Sequence, residues 1–308
     1  MEKFEIAIIG EGPAGLSAAI YAARAGRKVM VLERAVAGGQ QALTEKIENY
    51  PGTGRGGMGG VELGQKMEEQ AKEFGVTFLN DMVKSVGFSP RKNIIKTSFS
   101  GDIEAQSVII ATGRDAKNLG VKGEEQFRGR GVSYCATCDG AFFRNKTIAV
   151  IGGGNSALEE AMYLSRFVKK IYLIHRRGEF RAEKIIQDAM CKNEKIECYM
   201  GYCPLEIIGE KSVHNLIISN VETSQKIDLE VEGVFIYVGQ NPNSQIFKDK
   251  LVIDSAGYIV TDEQMKTSLK GVFAAGDIRN KSLYQVVTAV SDGAIAAVEA
   301  DKYISAEE

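Results

Sequence analysis

The 308-residue chain has no tryptophan, two histidines (His175 and His214), five prolines and five cysteines. Two histidines cannot build a multi-histidine metal centre and leave little room for histidine-dependent nucleophile chemistry, so no metal site is expected. Neither sign of charge is in excess, with 38 Lys and Arg against 40 Asp and Glu. A formal net charge of −2 gives no field for neutralising phosphates, so neither nucleic acid nor an anionic membrane surface is expected as a partner. No apolar run approaches the roughly 20 residues that cross a bilayer. The amino terminus lacks the basic start and long apolar stretch of a secretory leader, which predicts a cytoplasmic protein. Five cysteines are too few, and odd in number, for a disulfide framework. In a reducing compartment a close pair is more readily catalytic or metal-binding than structural.

Glycine is abundant: 34 residues, where average usage gives about 22. With 44% hydrophobic and 25% charged residues, the chain can bury a core, and its length points to about two domains. The glycines punctuate a pattern that occurs twice. An apolar run from Glu5 to Ile9 leads into Gly10-Glu11-Gly12-Pro13-Ala14-Gly15, a helical stretch from Leu16 to Ala25 and a second apolar run ending on Glu33. A run from Thr147 to Ile151 leads into Gly152-Gly153-Gly154-Asn155-Ser156-Ala157, a helical stretch from Leu158 to Phe167 and a run ending on His175. Each reads as a βαβ unit. Further apolar runs close on Gly113, Gly239 and Gly276-Asp277, and residues 283–302 carry helical spacing. The expected fold is α/β with mainly parallel sheets. The run from Gly52 to Gly60 has no strand leading directly into it and reads as a flexible surface connection.

In a G-x-G-x-x-G turn the first glycine permits the tight strand-to-helix turn, the second lets the backbone approach a pyrophosphate, and the third allows close helix–strand packing. The helix N-terminus adds free N–H groups and a partial positive charge. In the first unit Gly10, Gly12 and Gly15 are all present. Glu33 ends the second strand, where a carboxylate accepts ribose hydroxyls and repels a 2′-phosphate. The second unit, with Gly152 and Gly154, has no acid there. His175 takes the place, followed by Arg176, Arg177 and Arg181, which favours a 2′-phosphate and hence NADPH. His175 itself either packs on adenine or caps the strand. One acid-marked and one arginine-marked site match FAD plus NADPH.

Cys135-Ala136-Thr137-Cys138-Asp139 precedes the second unit. The C-x-x-C spacing lets two thiols form a disulfide and commonly lowers one thiol's pKa. Structural zinc would need four ligands, and Cys191, Cys198 and Cys203 have no ligand spacing. Asp139 could protonate a departing thiolate if burial raised its pKa, or it could serve only as a turn or cap residue.

At Val132 to Phe143 the sequence resembles the bacterial-type, low-molecular-weight thioredoxin reductases of the pyridine nucleotide-disulfide oxidoreductases. The likeness covers essentially the whole chain, through Gly10 to Gly15, Gly38-Gly39-Gln40, Glu48 to Gly52, Gly152 to Ala157, His175 to Arg181, Gly271 to Asp277, Gln285 to Val287 and Asp292 to Ala294. It implies two Rossmann-like, three-layer ββα domains: an FAD domain from residues 1–114 and 246–308, and an NADPH domain, 115–245, inserted between them. By matching position, Gly10, Gly12, Pro13, Ala14, Gly15, Glu33, Gly39, Gln40, Asn49, Val83, Thr112, Gly113, Gly276, Asp277, Gln285 and Val286 would contact FAD. Gly152, Gly154, Asn155, Ser156, His175, Arg176, Arg177 and Arg181 would contact NADPH. The resemblance also implies a homodimer that reduces thioredoxin or a thioredoxin-like protein. In that scheme Cys138 faces the flavin, Asp139 supplies the proton and Cys135 attacks the partner's disulfide, with a domain rotation about linkers near 115 and 245. Two residues depart from the family pattern. Glu11 stands where a small residue is usual, and an anion beside a pyrophosphate is tolerable there only if the side chain points to solvent. Tyr284 replaces the usual arginine before Gln285.

Overall fold

The computed structural model describes residues 2–34, 37–44 and 46–306. The chain divides into two compact units, Met1–Asp115 with Asn241–Glu308, and Ala116–Gln240. In the first, a parallel ladder runs Thr77–Asn80, Val29–Glu33, Glu2–Ile9, Asp102–Ile110 and Val272–Ala274. Ile9 lies opposite Leu32 on one side and Ile110 on the other. That register brings Gly10, Glu33 and Ala111 to one edge of the sheet. The antiparallel strands Val83–Gly87 and Asn93–Thr97 continue from the first half of Asp102–Ile110.

Both faces of this ladder are covered, so its strands are apolar at nearly every position. Ile6, Ile8, Val29, Val31 and Ile109 share one apolar layer with the alanines of helices Pro13–Arg24 and Val286–Ser305. Ala7, Ile9, Met30, Leu32 and Ile110 join Val86 and Ile95 of the antiparallel strands in the other. Small residues bring the two helices close. The Ser17 hydroxyl donates to the Val290 carbonyl at 2.8 Å, and a Cβ at Gly293 would stand 2.0 Å from the Ala14 carbonyl oxygen. The last helix is thereby seated against the first turn of the first helix.

The second unit repeats the plan. Its parallel order is Ile196–Met200, Lys170–His175, Thr147–Ile151, Gly233–Ile236 and Val132–Ser133, beside a three-stranded antiparallel sheet of Tyr202–Gly209, Val213–Asn220 and Lys226–Glu230. Helix Asn155–Leu164 leaves the glycine turn, and the short helix Ala136–Asp139 follows the edge strand Val132–Ser133. Ala136 packs in one core with Ala157, Ala161 and Leu164, which ties the cysteine pair to the helix of the nucleotide turn. The glycine-rich run is divided. Gly52, Gly54 and Gly56 are exposed turns as expected, but Gly60 is buried and opens helix Gly60–Glu73.

The contact at Gly293 is testable. Gly293→Val forces the two helices apart and should cost roughly 1–3 kcal/mol by overpacking, read as a lower thermal midpoint. An unchanged midpoint would show that the helix pair has slack.

Candidate functional site

In the first unit the glycine turn is fixed from behind. A Cβ at Gly10 would lie 2.3 Å from the Ala111 carbonyl oxygen, and one at Gly15 would lie 1.9 Å from that of Gly10. In front it is open: no heavy atom lies within 4 Å of a Cβ built at Gly12. Pro13 occupies the first turn of the helix, where its missing N–H costs nothing, and no side chain caps that end. Unclaimed amides, open space and the positive end of a dipole fit a pyrophosphate.

Around this turn the elements converge. Glu33 accepts the Glu11 and Arg34 N–H groups at 2.9 and 2.7 Å, which places its carboxylate beside the turn. The Gly38 N–H donates to the Glu11 carbonyl at 2.9 Å, and a Cβ at Gly39 would come within 3.1 Å of the Gly12 Cα. The Gln40 amide donates to the Arg114 carbonyl and the Asp115 carboxylate at 2.6 and 2.9 Å. The Asn49 amide donates to the Gln285 side-chain oxygen at 3.0 Å, joining segments 236 residues apart. Thr112 and Asn243 exchange two hydrogen bonds at 3.0 Å, next to Gly113. Gly276 donates its N–H to buried Asp292 at 3.0 Å, and Asp277 lies 3.5 Å from Arg114 and 3.6 Å from Lys281. Val286 begins the helix that Gln285 caps. Val83 stands apart: it packs against the sheet face that carries Ile9 and Leu32.

Glu11 does not point to solvent. It is 7% exposed, and its Oε1 has no hydrogen-bond partner among the described residues. Burial, then the charges of Glu68 and Glu33, push its pKa up to about 7. The side chain is accommodated by burial with a carboxyl that keeps its proton up to about neutral pH, not by facing water.

The second turn is built alike. No heavy atom stands within 4 Å of a Cβ at Gly154, and helix Asn155–Leu164 has no side-chain cap. The Arg181 N–H donates to the Gly153 carbonyl at 2.8 Å. Asn155 accepts the Glu183 N–H at 2.9 Å and donates to its carboxylate at 3.1 Å. These bonds lay segment 181–183 along the turn. His175 lies beneath it, 6% exposed and stacked on Phe180 at 5.7 Å. A Cβ at Gly153 would lie 2.3 Å from its Nδ1. Burial foremost, and the three arginines beside it, lower the His175 pKa, so the imidazole is neutral and supports the turn by packing. Ser156, Arg176, Arg177 and Arg181 are exposed, and among the described residues none of these guanidiniums is held in an ion pair.

Cys135 and Cys138 form a disulfide, their Cα atoms 5.3 Å apart. Cys135 caps helix Ala136–Asp139, with the Cys138 N–H donating to its Sγ at 3.2 Å. Ser133 donates to the Asp139 carboxylate at 2.6 Å and accepts the Cys135 N–H at 3.1 Å. One hydroxyl therefore connects the cysteine backbone to the nearby acid. Cys191, Cys198 and Cys203 are free. Sequence reasoning missed three of these residues. Nothing local marks Ser133, whereas Asp292, a carboxylate within a small-residue helix, was a readable signal. Arg114 owes its role to residues distant in the chain.

Glu11 sets a pH dependence. Its carboxyl is protonated in both folded and unfolded chains below about pH 4.5. As pH rises, the unfolded chain ionises first, so stability is lost up to and through the folded pKa of about 7. Glu11→Gln should melt close to wild type near the acid end and above it at about pH 8. A constant difference across that range would sink the assignment.

The family model described as pyridine nucleotide-disulphide oxidoreductase matches residues 4–293. The chain is 45% identical over 309 residues to a thioredoxin reductase of Peptoclostridium acidaminophilum, covering 98% of each chain. Among solved structures, a thioredoxin reductase from Streptococcus pyogenes superposes with a TM-score of 0.94 at 45% identity, over 99% of each chain. One from Giardia duodenalis gives 0.92 at 35% identity, over 99% of this chain and 100% of that one. With both nucleotide turns and the cysteine pair inside the matched span, the chain belongs to the pyridine nucleotide-disulphide oxidoreductase family.

Proposed function

We propose that the protein is an NADPH-dependent thioredoxin-disulfide reductase, in which the first unit holds FAD and the second holds NADPH. The observation that carries this reading is the Cys135–Cys138 disulfide, set in the same unit as an arginine-marked nucleotide turn. The names of relatives similar over nearly the whole chain support it. Glu33 and the amides of the first turn would hold FAD, together with Gly39, Gln40, Asn49, Thr112, Gly113, Asp277 and Gln285. Gly154, Asn155, Ser156 and the arginines 176, 177 and 181 would hold NADPH. A cytoplasmic homodimer belongs to the same proposal.

FAD, when bound, carries the electron pair from NADPH to the disulfide. The chain's own part is thiol chemistry. Two electrons break the Sγ–Sγ bond and leave two sulfurs that share the negative charge and incoming protons. The Cys138 N–H, aimed at the Cys135 Sγ, favours thiolate there, which makes Cys135 the nucleophile. Asp139, oriented by Ser133, supplies the proton to Cys138. Cys135 then attacks one sulfur of the partner's disulfide, forming a mixed disulfide and releasing one partner thiolate. Cys138, its proton returned to Asp139, attacks the Cys135 Sγ. The second partner thiolate leaves, the Cys135–Cys138 bond is restored, and the two partner thiolates take up protons from solvent, so that the partner departs as a dithiol. Rotation of the second unit about its two chain crossings would alternate the half-reactions.

Cys135→Ser or Cys138→Ser should abolish NADPH-dependent reduction of thioredoxin while NADPH still bleaches the bound flavin; full reduction by either variant would refute the assignment. Arg176→Ala with Arg177→Ala should lower kcat/KM for NADPH by roughly 10-fold or more, since each lost charged hydrogen bond weighs that heavily, with NADH little affected. An unchanged ratio between the two coenzymes would remove the 2′-phosphate role.

A further inference from the structure

Arg114 follows Thr112-Gly113 beyond the end of strand Asp102–Ile110. Its guanidinium carbon lies 3.6 Å over the Tyr284 ring centroid. Its Nη1 donates to the Tyr258 hydroxyl at 3.0 Å, and its Nε stands 3.5 Å from the Asp277 carboxylate. The Tyr258 and Tyr284 rings are 5.8 Å apart, and the Arg114 carbonyl accepts the Gln40 amide at 2.6 Å. One residue thus connects four separate segments: the turn bearing Gln40, the loop bearing Tyr258, the short helix Gly276–Ile278 bearing Asp277, and the cap segment Tyr284-Gln285. Three of the four carry or adjoin a residue placed above in the FAD cradle.

The geometry is that of a planar cation used on both its face and its edge. A face over an aromatic ring, a fork toward oxygen acceptors and a charge beside a carboxylate are together an arginine's property, not a lysine's. The Asp277 carboxyl needs such a neighbour. Burial raises its pKa, while Lys281 and Arg114 oppose that rise. Among the described residues the Arg114 Nη2 has no protein acceptor, so the group is not consumed by the fold.

We propose that Arg114 is a positioning residue of the FAD site: stacked on Tyr284, it holds Asp277 and the Tyr284-Gln285 segment in their flavin-binding arrangement. This rests on the assignment of FAD to the first unit. Were the wild-type protein to purify without flavin and take none up, both that assignment and this inference would fall.

The test uses the flavin-loaded enzyme and follows release of FAD by the rise in flavin fluorescence, with the visible flavin spectrum recorded alongside. Arg114→Ala and Tyr284→Ala should each speed release by about tenfold, the weight of one charge-assisted contact, and shift the flavin band. The double variant should release no faster than the worse single one, because the two side chains act through each other. Tyr284→Phe, which keeps the ring and loses only the hydroxyl that accepts the Lys281 N–H at 3.4 Å, should release FAD clearly more slowly than Tyr284→Ala, and Arg114→Lys should recover only part of the loss. If Arg114→Ala fails to fold, Arg114→Lys and Tyr284→Ala carry the same comparison. Wild-type release with an unshifted flavin band in Arg114→Ala or Tyr284→Ala, accompanied only by a lower melting temperature, would leave Arg114 a structural tie and overturn the inference.

Discussion

Both units depend on one constraint: a strand end, a turn and a helix start must come within contact distance of a ligand with no side chain between. At Gly10 and Gly15 the backbone behind the turn is packed to the point where a methyl group would collide. At Gly12 and Gly154 the space in front is open. Helix dipoles supply positive potential at those openings, and uncapped amides supply directed donors. The two long apolar ladders, the close helix pair at Ala14 and Gly293, and the seating of the short cysteine helix on Ala157 and Ala161 all serve to hold these turns still.

Once the turns are in place, charge decides what each can accept. Around the first, carboxylates dominate: Glu33 beside the turn, Glu11 within it and Asp277 across from it. An anionic ligand there is tolerable only because each of these charges is managed. Glu33 is held by two amides, Glu11 has its charge lessened by a pKa raised to about 7, and Asp277 is held by two cations. Around the second turn the balance is reversed, with exposed guanidiniums over a neutral, buried imidazole. The same backbone device thus stands in two opposite charge environments, and the cysteine pair sits in the unit that carries the arginines.

The two βαβ units were legible because their signals are local: runs that alternate between two buried faces, broken by glycines at a fixed offset. The helix read from Leu16 begins three residues earlier, at Pro13, since a proline in the first turn belongs to the helix. The cysteine pair and the arginine cluster were equally local. What escaped depends on residues far apart in the chain. The state of Glu11 depends on a turn bonded to its carbonyl through Gly38 and on the charge of Glu68 in another helix, which helps to raise its pKa. The roles of Asp292 and Arg114 exist only once the carboxy-terminal segment has folded back on the first sheet. Gly60 read as part of a flexible run because nothing nearby in sequence shows that it begins a helix packed on residues 41 and 44. His175, read as packing on adenine or as a strand cap, ends strand Lys170–His175 and packs beneath the turn on Phe180, a contact with a residue that the sequence does not mark.

The central claim is that electrons pass from NADPH through this chain to a partner's disulfide. It is tested most directly by an anaerobic titration of the flavin-loaded protein with NADPH, followed by oxidised thioredoxin, while the visible spectrum is recorded. The account predicts that NADPH bleaches the flavin band and that thioredoxin restores it, with one partner dithiol formed per NADPH consumed. A flavin that NADPH cannot reduce, or one that stays reduced after thioredoxin is added, would contradict it.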